Sequence, residues 1–323
     1  MTVKASESEF IAAWQESKGS PRLTAVALGI NERAVYARRD RLAKKGVVLP
    51  TVPLTVNAQG ASDCYAWGAE KRHFARRRAY KVENGVVIIA SDGHWLPDHR
   101  STGLDALIAV VKALKPELIV LNGDMLDGGT ISRWDPTRGH HKRFGLREEL
   151  DCLKANTEAL QEAAGKAFLA YTLGNHDLRL SRYIAVHAPE ALELPATRLE
   201  DWIPKWPLSW TVEVNPGGYG MTVIRHRNQS GMLHLQAMRA GCHYVHGHLH
   251  RLNVHRQTTF QGLRYSVDTG SLADPHSDAF DYMEGNPDHA QGFAVLTYRD
   301  GRLMPPELVE ITDGVAWFRG KPL

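Results

Sequence analysis

Three short apolar runs alternate with amphipathic stretches, and this order constrains the fold of the 323-residue chain more than any other feature. The runs are Val86–Ser91, Glu117–Asn122 and Lys166–Leu173, and helices are predicted between them at Leu104–Lys115 and Arg147–Gly165. Runs rich in β-branched residues are typical of strands that are covered on both faces. The alternation therefore predicts an α/β protein whose parallel sheet has helices on its faces.

Each of these runs is followed by side chains that can bind a metal ion. Asp92 and His94 follow the first run, Asp124 follows the second, and Asn175 with His176 follows the third. In open α/β sheets, ligand sites form outside the carboxyl ends of the strands. We therefore expect a site built from these five side chains.

Shorter strand-like runs occupy the remainder of the chain. Asn84–Gly85 lies between two of them and predicts a hairpin. M-T-V-I-R leads to His226, and H-Y-V leads to His246. The tail alternates short strands with turns such as Asp300–Gly301, so a second and more antiparallel sheet is expected.

Five blocks carry a family resemblance. They are S-D-G-H, N-G-D-M-L-D, G-N-H-D, a histidine after a strand at position 226, and G-H-L-H. In this order they resemble the signature of the calcineurin-like metallophosphoesterases, from Val86 to about His250 for the motifs and more loosely to the C-terminus. The resemblance implies two packed mixed β-sheets flanked by helices and the hydrolysis of phosphate esters with two divalent metal ions.

The resemblance also implies the metal ligands, with Asp124 as the carboxylate that bridges both ions. The first site is completed by Asp92, His94 and His250, and the second by Asn175, His226 and His248. Two ions about 3.5–4 Å apart can clamp a phosphoryl oxygen and activate a water near neutral pH. Mixed imidazole and oxygen ligands suit Mn²⁺, Fe or Zn²⁺, and we expect Mn²⁺.

His176 is implied to be a catalytic residue and not a ligand. In the family, the matching histidine faces the leaving-group oxygen, where it donates a proton or stabilises developing charge. The position that matches Asp127 holds the ring of this histidine. Asp127 and His176 are thus a predicted dyad.

The fourth block departs from the family pattern. The family writes histidine followed by glycine, whereas here Arg227 follows His226. His234 and His243 are alternative ligands. We favour His226 because it lies just after a strand, whereas His234 lies in a predicted helix from Ser230 to Ala240.

The first 50 residues predict three short helices. Ser6 with Glu9 forms a capping box, Ser20 caps a second helix that begins with Pro21, and Asn31 caps a third that Gly46 ends. The relative spacing of Ala25, Gly29 and Val35 resembles that of the helix-turn-helix signature. The residues expected to contact DNA are Arg33, Tyr36, Arg38, Arg39 and Arg41. A protein-binding module is the alternative.

Charge is distributed unevenly along the chain. Residues 1–81 contain 15 lysines and arginines against 7 acidic residues, and the remaining residues contain 24 against 29. A basic N-terminal quarter of the chain suits a polyanionic partner. Lys71–Arg78 is either a basic arm along a nucleic acid backbone or a solvated helix.

Composition and local patterns indicate where the protein acts. No apolar run approaches the roughly 18 residues needed to span a bilayer, and the amino terminus lacks the apolar core of a signal peptide. Three cysteines without C-x-x-C spacing fit a reducing compartment. We therefore expect a cytoplasmic protein without a membrane partner, and nothing in the sequence sets its oligomeric state.

The loop after the second block bears on the substrate. It combines basic and aromatic residues, among them Arg133, Trp134 and Arg138, and such combinations suit a phosphodiester backbone with unstacked bases. A polar loop with Trp134 in the core is the alternative. The wider layout resembles phosphoesterases of phages and prophages that are described as similar to DNA repair exonuclease subunits, which would place the protein in a bacterial host.

The sequence thus predicts three segments and one leading function. Residues 1–50 form a helix-turn-helix DNA-binding domain, residues 51–79 a linker with a basic segment, and residues 80–323 a metallophosphoesterase domain. The predicted function is a metal-dependent DNA nuclease, either endo- or exonuclease, in which Arg227 also contacts substrate. The alternatives are a phosphomonoesterase acting on nucleotides or phosphoproteins, and a DNA-binding regulatory or packaging protein.

Overall fold

The computed structural model of the protein describes residues 5–17, 20–45, 47, 49, 73–132, 144–228, 232–260, 262–275 and 288–323. The chain divides into two compact units, Met1–Ser62 and Asp63–Leu323.

The described part of the first unit contains three helices: α1 (Glu7–Glu16), α2 (Pro21–Leu28) and α3 (Glu32–Lys44). The predicted caps are present, since the Ser6 hydroxyl accepts from the Glu9 amide and the Asn31 side chain accepts from the Ala34 amide. Gly29 ends α2 with a left-handed φ of 61°. The helices pack around Phe10, Trp14, Ala25, Val35 and Leu42. Gly46 lies outside the described residues.

The larger sheet of the second unit has nine strands among the described residues. In order they are β15 (Lys321–Pro322), β14 (Val315–Phe318), β13 (Glu307–Thr312), β11 (Gln291–Arg299), β2 (Gly85–Ala90), β3 (Leu118–Leu121), β4 (Phe168–Thr172) and β5 (Leu208–Ser209), and β12 (Arg302–Leu303) pairs with β11. Strands β2 to β5 are parallel, as predicted for the first apolar runs. β11 continues the sheet in the antiparallel direction.

A second sheet of six described strands packs against the first. Its order is β1 (Arg78–Tyr80), β6 (Val212–Val214), β7 (Thr222–Ile224), β8 (His243–His246), β10 (Gly262–Asp268) and β9 (Asn253–Thr259). Its pairings are both parallel and antiparallel, so the sheet is mixed and not mainly antiparallel. The strands of the tail extend the first sheet instead of this one.

The predicted hairpin at Asn84–Gly85 is wrong. β1 pairs in parallel with β6, where Tyr80 lies opposite Val214, and β2 pairs with β3 and β11 in the other sheet. The Asn215 side chain exchanges two hydrogen bonds of 2.8 Å with the backbone of Val82. These bonds hold the connecting chain where it passes from one sheet to the other.

Helices cover the outer face of the nine-stranded sheet and connect the strands. The described ones are α4 (Thr102–Leu114), α5 (Leu146–Ala164), α6 (Arg179–His187) and α7 (Leu199–Trp202), with 3₁₀ turns at Gly129–Ile131 and Pro189–Glu193. A further helix, α8 (Gln236–Ala240), and the 3₁₀ turn at Leu233–Leu235 pack against the second sheet instead. The helix predicted from Ser230 is shorter, and Ser230 itself lies outside the described residues. No helix among those described is both long and apolar enough to cross a membrane.

Burial on both faces explains the unbroken apolar runs. Val87 and Ile89 of β2 point into the layer between the sheets, where they meet Val245 of β8. Ile88, from the same strand, packs on the other face with Leu107 of α4. Successive side chains of a strand alternate between its faces, so a strand covered twice needs apolar residues at every position. This packing fixes the strand ends at which the site is built.

Candidate metal centre

The candidate centre lies where strands of both sheets end. Asp92 follows β2, Asp124 follows β3 and Asn175 follows β4, and these three strands are parallel neighbours. From the second sheet, His226 follows β7 and His248 follows β8. The packing of the two sheets therefore brings residues more than 150 positions apart to one place.

Five residues of the centre have a left-handed backbone. The φ angle is 55° at Asp92, 39° at His94, 56° at Asp124, 71° at His248 and 59° at His250. Such a conformation costs a residue other than glycine about 1–3 kcal/mol and persists only where the surrounding structure enforces it. The loops thus turn sharply at these residues, at a cost in stability.

Two glycines allow the main chain to approach the central carboxylates. A Cβ atom on Gly174 would lie 2.0 Å from Asp124 Oδ1, and one on Gly247 would lie 2.4 Å from Asp92 Oδ2. In the space thus kept open, the His248 amide donates to Asp92 Oδ2 at 2.9 Å. Any other residue at either glycine would push the carboxylate from its position.

Two groups of three side chains surround the centre, and a third group links them. They are Asp92, His94 and His250; Asp124, His226 and His248; and His94, Asp124 and His176. Within each group the candidate ligand atoms lie within 4.8 Å of one another. The first two groups correspond to the two sites that the sequence predicted, and Asp124 and His94 lie between them.

The first group is held by short contacts. His250 Nε2 lies 3.0 Å from Asp92 Oδ1, and His94 Nδ1 lies 3.1 Å from Asp127 Oδ1. The rings of His94 and His250 are 5.6 Å apart. On its far side His250 meets His289, with 3.4 Å between the two Nδ1 atoms.

The second group is arranged around His226. Its Nε2 lies 3.0 Å from Asp124 Oδ2 and 4.0 Å from Asp92 Oδ1, and its Nδ1 donates to the Asn122 carbonyl oxygen at 2.7 Å. His243 is oriented otherwise, because its Nδ1 accepts from the Tyr265 amide at 3.0 Å. The geometry therefore favours His226 over His243, while the side chain of His234 lies outside the described residues.

The electrostatics of the centre favour a cation. Burial would raise the pKa of Asp124, but the imidazoles of His226 and His176 outweigh burial and hold the pKa well below its ordinary value. Against its burial, the pKa of Asp92 is likewise lowered by His250 and His226. Burial disfavours charge on His226, yet Asp124 and Asp92 raise its pKa to about 10. Both carboxylates are therefore ionised, and a bound cation would take the place of the His226 proton.

The donor set fits divalent transition-metal ions. Carboxylate oxygens and imidazole nitrogens are their usual ligands. His226 and His94 each donate through Nδ1, to Asn122 and Asp127, so Nε2 is the atom that can bind an ion. Asn175 Oδ1 is buried without a hydrogen-bond partner in the described structure, and an ion would satisfy it.

Asp127 and His176 are in contact, as the sequence predicted. His176 Nδ1 lies 3.2 Å from Asp127 Oδ1 and 3.0 Å from its carbonyl oxygen. The same carboxylate oxygen also receives His94, so it holds one candidate ligand and one candidate catalytic ring. Hydrogen bonds from these two imidazoles keep the pKa of Asp127 well below its ordinary value, against the effect of burial.

Asp177, the last residue of the third block, supports the centre from below. Its Oδ2 accepts from the amides of Asp124 and Gly174 at 2.8 Å, and its Oδ1 accepts from the Tyr171 hydroxyl at 2.7 Å. Burial and the charge of Asp124 raise the pKa of Asp177 to about 6. These hydrogen bonds fix the turn that carries Asn175. They occupy both carboxylate oxygens of Asp177, so Asp177 is not expected to bind a metal ion.

The family model of the calcineurin-like phosphoesterases matches residues 85–268. The chain belongs to this family. Every predicted ligand and both members of the dyad lie within the matched residues. Family membership makes the protein a phosphoesterase of a metal-dependent class.

Relatives of this phosphoesterase occur in phages. The Gene 54 protein of Mycobacterium phage L5 is 27% identical over 252 residues, which are 71% of this chain and 94% of the relative. The Gene 54 protein of Mycobacterium phage D29 is 27% identical over 246 residues, with the same coverage of both chains. These names state no activity.

Two solved structures are similar in part. A dimetal phosphatase from Danio rerio is 12% identical with a TM-score of 0.35, covering 75% of this chain and 98% of the other. Pseudomonas putida nuclease MPE is 15% identical with a TM-score of 0.30, covering 67% of this chain and 86% of the other. Neither likeness bears on the substrate of this phosphoesterase.

The residues of α3 that were predicted to bind DNA differ in their exposure to solvent. Arg33, Tyr36, Arg39 and Arg41 are exposed on α3 of the first unit. Arg38 is half-buried instead, because its guanidinium donates to the Ala5 carbonyl and lies 5.4 Å from the Phe10 ring centroid. Arg38 thus stabilises the helical unit.

The other predicted substrate contacts belong to the phosphoesterase domain. Arg227 is exposed beside His226. Arg133, Trp134 and Arg138 lie outside the described residues. In the basic segment, Arg77 pairs with Glu213 at 3.1 Å and Arg78 begins β1, so this end of the segment is a strand.

Sequence reasoning missed three residues around the centre. Arg179 contacts both Asp127 and His176, Glu149 accepts from the Gly128 amide at 2.6 Å, and His289 contacts His250. Arg179 lies three residues after His176, about one helical turn, and this spacing is the signal that points to it. Glu149 and His289 lie in no block, and only the fold brings them to the centre.

Gly174→Ala is expected to weaken metal binding about 10–100-fold, the usual loss when the support of a ligand is disturbed. Its Cβ would meet Asp124 Oδ1 at 2.0 Å and the Asp124 amide at 2.6 Å, and the backbone cannot retreat as the end of a flexible side chain can. Calorimetric titration with Mn²⁺ measures the effect. Gly218→Ala, whose Cβ would come no nearer than 3.4 Å to Asn215, is the control. Wild-type affinity in Gly174→Ala would contradict the arrangement.

Proposed function

We propose that this phosphoesterase is a phosphodiesterase that uses two metal ions to hydrolyse DNA. The observation that carries the proposal is the position of Asp124: it belongs to the second ligand group, and it also lies within 4.8 Å of His94 from the first group and of His176 from the Asp127–His176 pair. A carboxylate shared by two ions is what a two-metal hydrolase requires. The pair adds a group that can exchange a proton with the ester.

The proposed ligands divide between the two ions at Asp124. Asp92, His94 and His250 would hold one ion, and Asn175, His226 and His248 the other. When bound, the ions polarise a phosphoryl oxygen and activate a water near neutral pH. Mn²⁺ is the proposed metal, with Fe and Zn²⁺ as the other ions that suit these ligands.

The chain's own residues orient the ester and handle protons. Asp127 accepts a hydrogen bond from Nδ1 of His176 and fixes the ring, so Nε2 is the atom that acts on the ester. In the proposed reaction His176 stabilises the departing oxygen, either by giving it a proton or by a hydrogen bond. Asp127 also orients His94, a proposed ligand of the first metal site. It thereby sets the position of the His176 ring relative to that site.

Two features support DNA as the substrate. Helix α3 exposes Arg33, Tyr36, Arg39 and Arg41, a combination of cations and an aromatic ring that suits phosphates and bases. Arg227 adds an exposed cation beside His226. Given the phage relatives, the proposed place of action is the cytoplasm of a bacterial host.

The substrate class is tested with a pair of p-nitrophenyl esters and a DNA series. With Mn²⁺, wild type is expected to hydrolyse bis-p-nitrophenyl phosphate faster than p-nitrophenyl phosphate, and to cleave linear, circular, single-stranded or nicked DNA. Asp124→Ala and His248→Ala are expected to lose these activities, because each removes a ligand. The pattern of DNA products also distinguishes endonuclease from exonuclease.

Other outcomes would replace the proposal. Preference for the monoester without DNA cleavage would indicate a phosphomonoesterase that acts on nucleotides or phosphoproteins. Tight, site-specific DNA binding that survives a chelator, in a protein that hydrolyses neither ester, would indicate a regulatory or packaging protein.

His176→Ala is expected to slow turnover about 10²–10⁴-fold, the usual contribution of a positioned acid or base. Metal content should equal that of wild type, because the proposed ligands do not include His176. Elemental analysis of the purified variant measures the bound metal, with Asp124→Ala as the variant that loses it. A metal-free His176→Ala protein would show that His176 is itself a ligand.

Arg33→Ala combined with Arg41→Ala is expected to weaken DNA binding by the full-length chain and to lower its salt dependence. Removing one cation that neutralises a phosphate reduces the slope of log K against log salt concentration by about 0.9. Fluorescence anisotropy at several salt concentrations measures the slope. The control removes two exposed arginines of the second unit, Arg147 and Arg319. Equal slopes in both double variants would argue against the helical unit as a DNA-binding surface.

A further inference from the structure

We propose that Arg179 is a substrate-binding residue of this centre, and that its guanidinium donates to the departing oxygen of the bound phosphate ester. The inference rests on the proposed function and extends it to a residue outside the five blocks. It identifies the ligand of Arg179 by chemistry, as an oxygen of a phosphate ester.

The start of α6 directs Arg179 back into the centre. Arg179 is the first residue of the helix, and its amide donates to the His176 carbonyl oxygen at 2.8 Å. Its side chain is 13% exposed, so the guanidinium is largely withdrawn from solvent. The same turn therefore carries both the proposed catalytic ring and a buried cation.

Two contacts fix the guanidinium beside the reactive atom of His176. Nη1 donates to the Asp127 carbonyl oxygen at 2.6 Å, and Nη2 lies 3.1 Å from His176 Nε2. Arginine has donors only, so Nε2 accepts this bond and has no proton to give while the contact lasts. For His176 to protonate the departing oxygen, the ring must carry a proton on each nitrogen, and the ester oxygen must replace Nε2 as the partner of Nη2. An ester oxygen within reach of His176 Nε2 is then also within reach of Arg179.

The charge of Arg179 is only loosely paired among the described residues. Its Nη1 lies 3.9 Å from Asp127 Oδ2, and the other oxygen of Asp127 already receives His94 and His176. Nearby Glu149 accepts from the Gly128 amide. A buried guanidinium without a closely paired carboxylate suits an anionic ligand, and its planar fork matches phosphate oxygens.

A second arginine shows the contrast. Arg319 forms two bonds of 2.7 Å with both carboxylate oxygens of Glu307, on the surface. Its fork is thus filled by a partner in the same chain. Arg319 is a matched control for the loss of an arginine that forms two hydrogen bonds outside the centre.

The chain also keeps space for the stem of Arg179. Gly128 has a left-handed φ of 65°, and a Cβ there would lie 3.2 Å from Arg179 Cδ. A larger residue would crowd the stem and displace the guanidinium. The turn after Asp127 is therefore shaped to the path of this side chain.

The first test compares two diesters that differ in their leaving group. In Mn²⁺-loaded full-length protein, Arg179→Met is expected to lower kcat/KM about 10²–10³-fold on a dinucleoside monophosphate, as the loss of one donor to a developing charge does. The loss on bis-p-nitrophenyl phosphate should be less than about tenfold, because p-nitrophenolate departs with little help. Arg179→Lys should recover part of the loss, and Arg319→Met should match wild type.

The second test needs no turnover. Calorimetric titration of the Mn²⁺-loaded protein with inorganic phosphate should show binding weakened at least about tenfold in Arg179→Met and unchanged in Arg319→Met. Metal content should equal that of wild type in both variants. If Arg179→Met fails to fold, Arg179→Lys carries the test, since it retains the charge but loses the fork.

Three results would overturn the inference. They are wild-type phosphate affinity in Arg179→Met, equal losses on the two diesters, and a loss of bound metal, which would show a structural role. If wild type hydrolyses neither diester, the proposed function fails, while the phosphate titration still decides whether Arg179 binds the anion.

Discussion

Two buried carboxylates, Asp92 and Asp124, impose the constraint on which the rest of this structure depends. Both are withdrawn from water, and the charge of Asp124 works against ionisation of Asp92. The amides of His176 and His248 donate to these carboxylates, and Nε2 of His226 lies within 4.0 Å of both. A cluster of this kind is stable only if positive charge is supplied. The electrostatics alone thus identify the cluster as a cation site, without any comparison with relatives.

The hydrophobic core, which covers the central strands on both faces, offsets this cost. The left-handed residues at Asp92, Asp124 and His248 each store strain. Gly174 and Gly247 allow the close approaches of the main chain to the carboxylates, where a Cβ atom would clash. At the carboxyl ends that carry the loops, β2, β3 and β4 are buried, so these ends are held rigidly and cannot relax the loops. A centre carried by loops on rigid parallel strands can keep the geometry that its chemistry requires.

The sequence predicted the strand ends well, because each apolar run is followed within two residues by a polar residue of the centre. It was wrong about Asn84–Gly85, since the local turn signal there is overruled by the bonds of Asn215 to Val82. The sequence placed Arg38 on the exposed DNA-binding surface of α3. In the structure its guanidinium lies against the Phe10 ring, and the spacing of residues along one helix cannot reveal such a contact. Contacts of this kind depend on distant parts of the chain, and local patterns do not contain them.

The turn from Asp127 to Gly128 joins two functions that the motifs keep apart. Oδ1 of Asp127 orients His94, a proposed ligand, and also His176, while the Asp127 carbonyl receives Arg179. Any shift of this turn must therefore move the His94 ring, the His176 ring and the Arg179 guanidinium together. Glu149 fixes the turn through the Gly128 amide from outside the motifs. Under the proposed function, metal binding and ester binding are coupled through this one short segment, because Asp127 orients a proposed metal ligand as well as the proposed catalytic ring and Arg179.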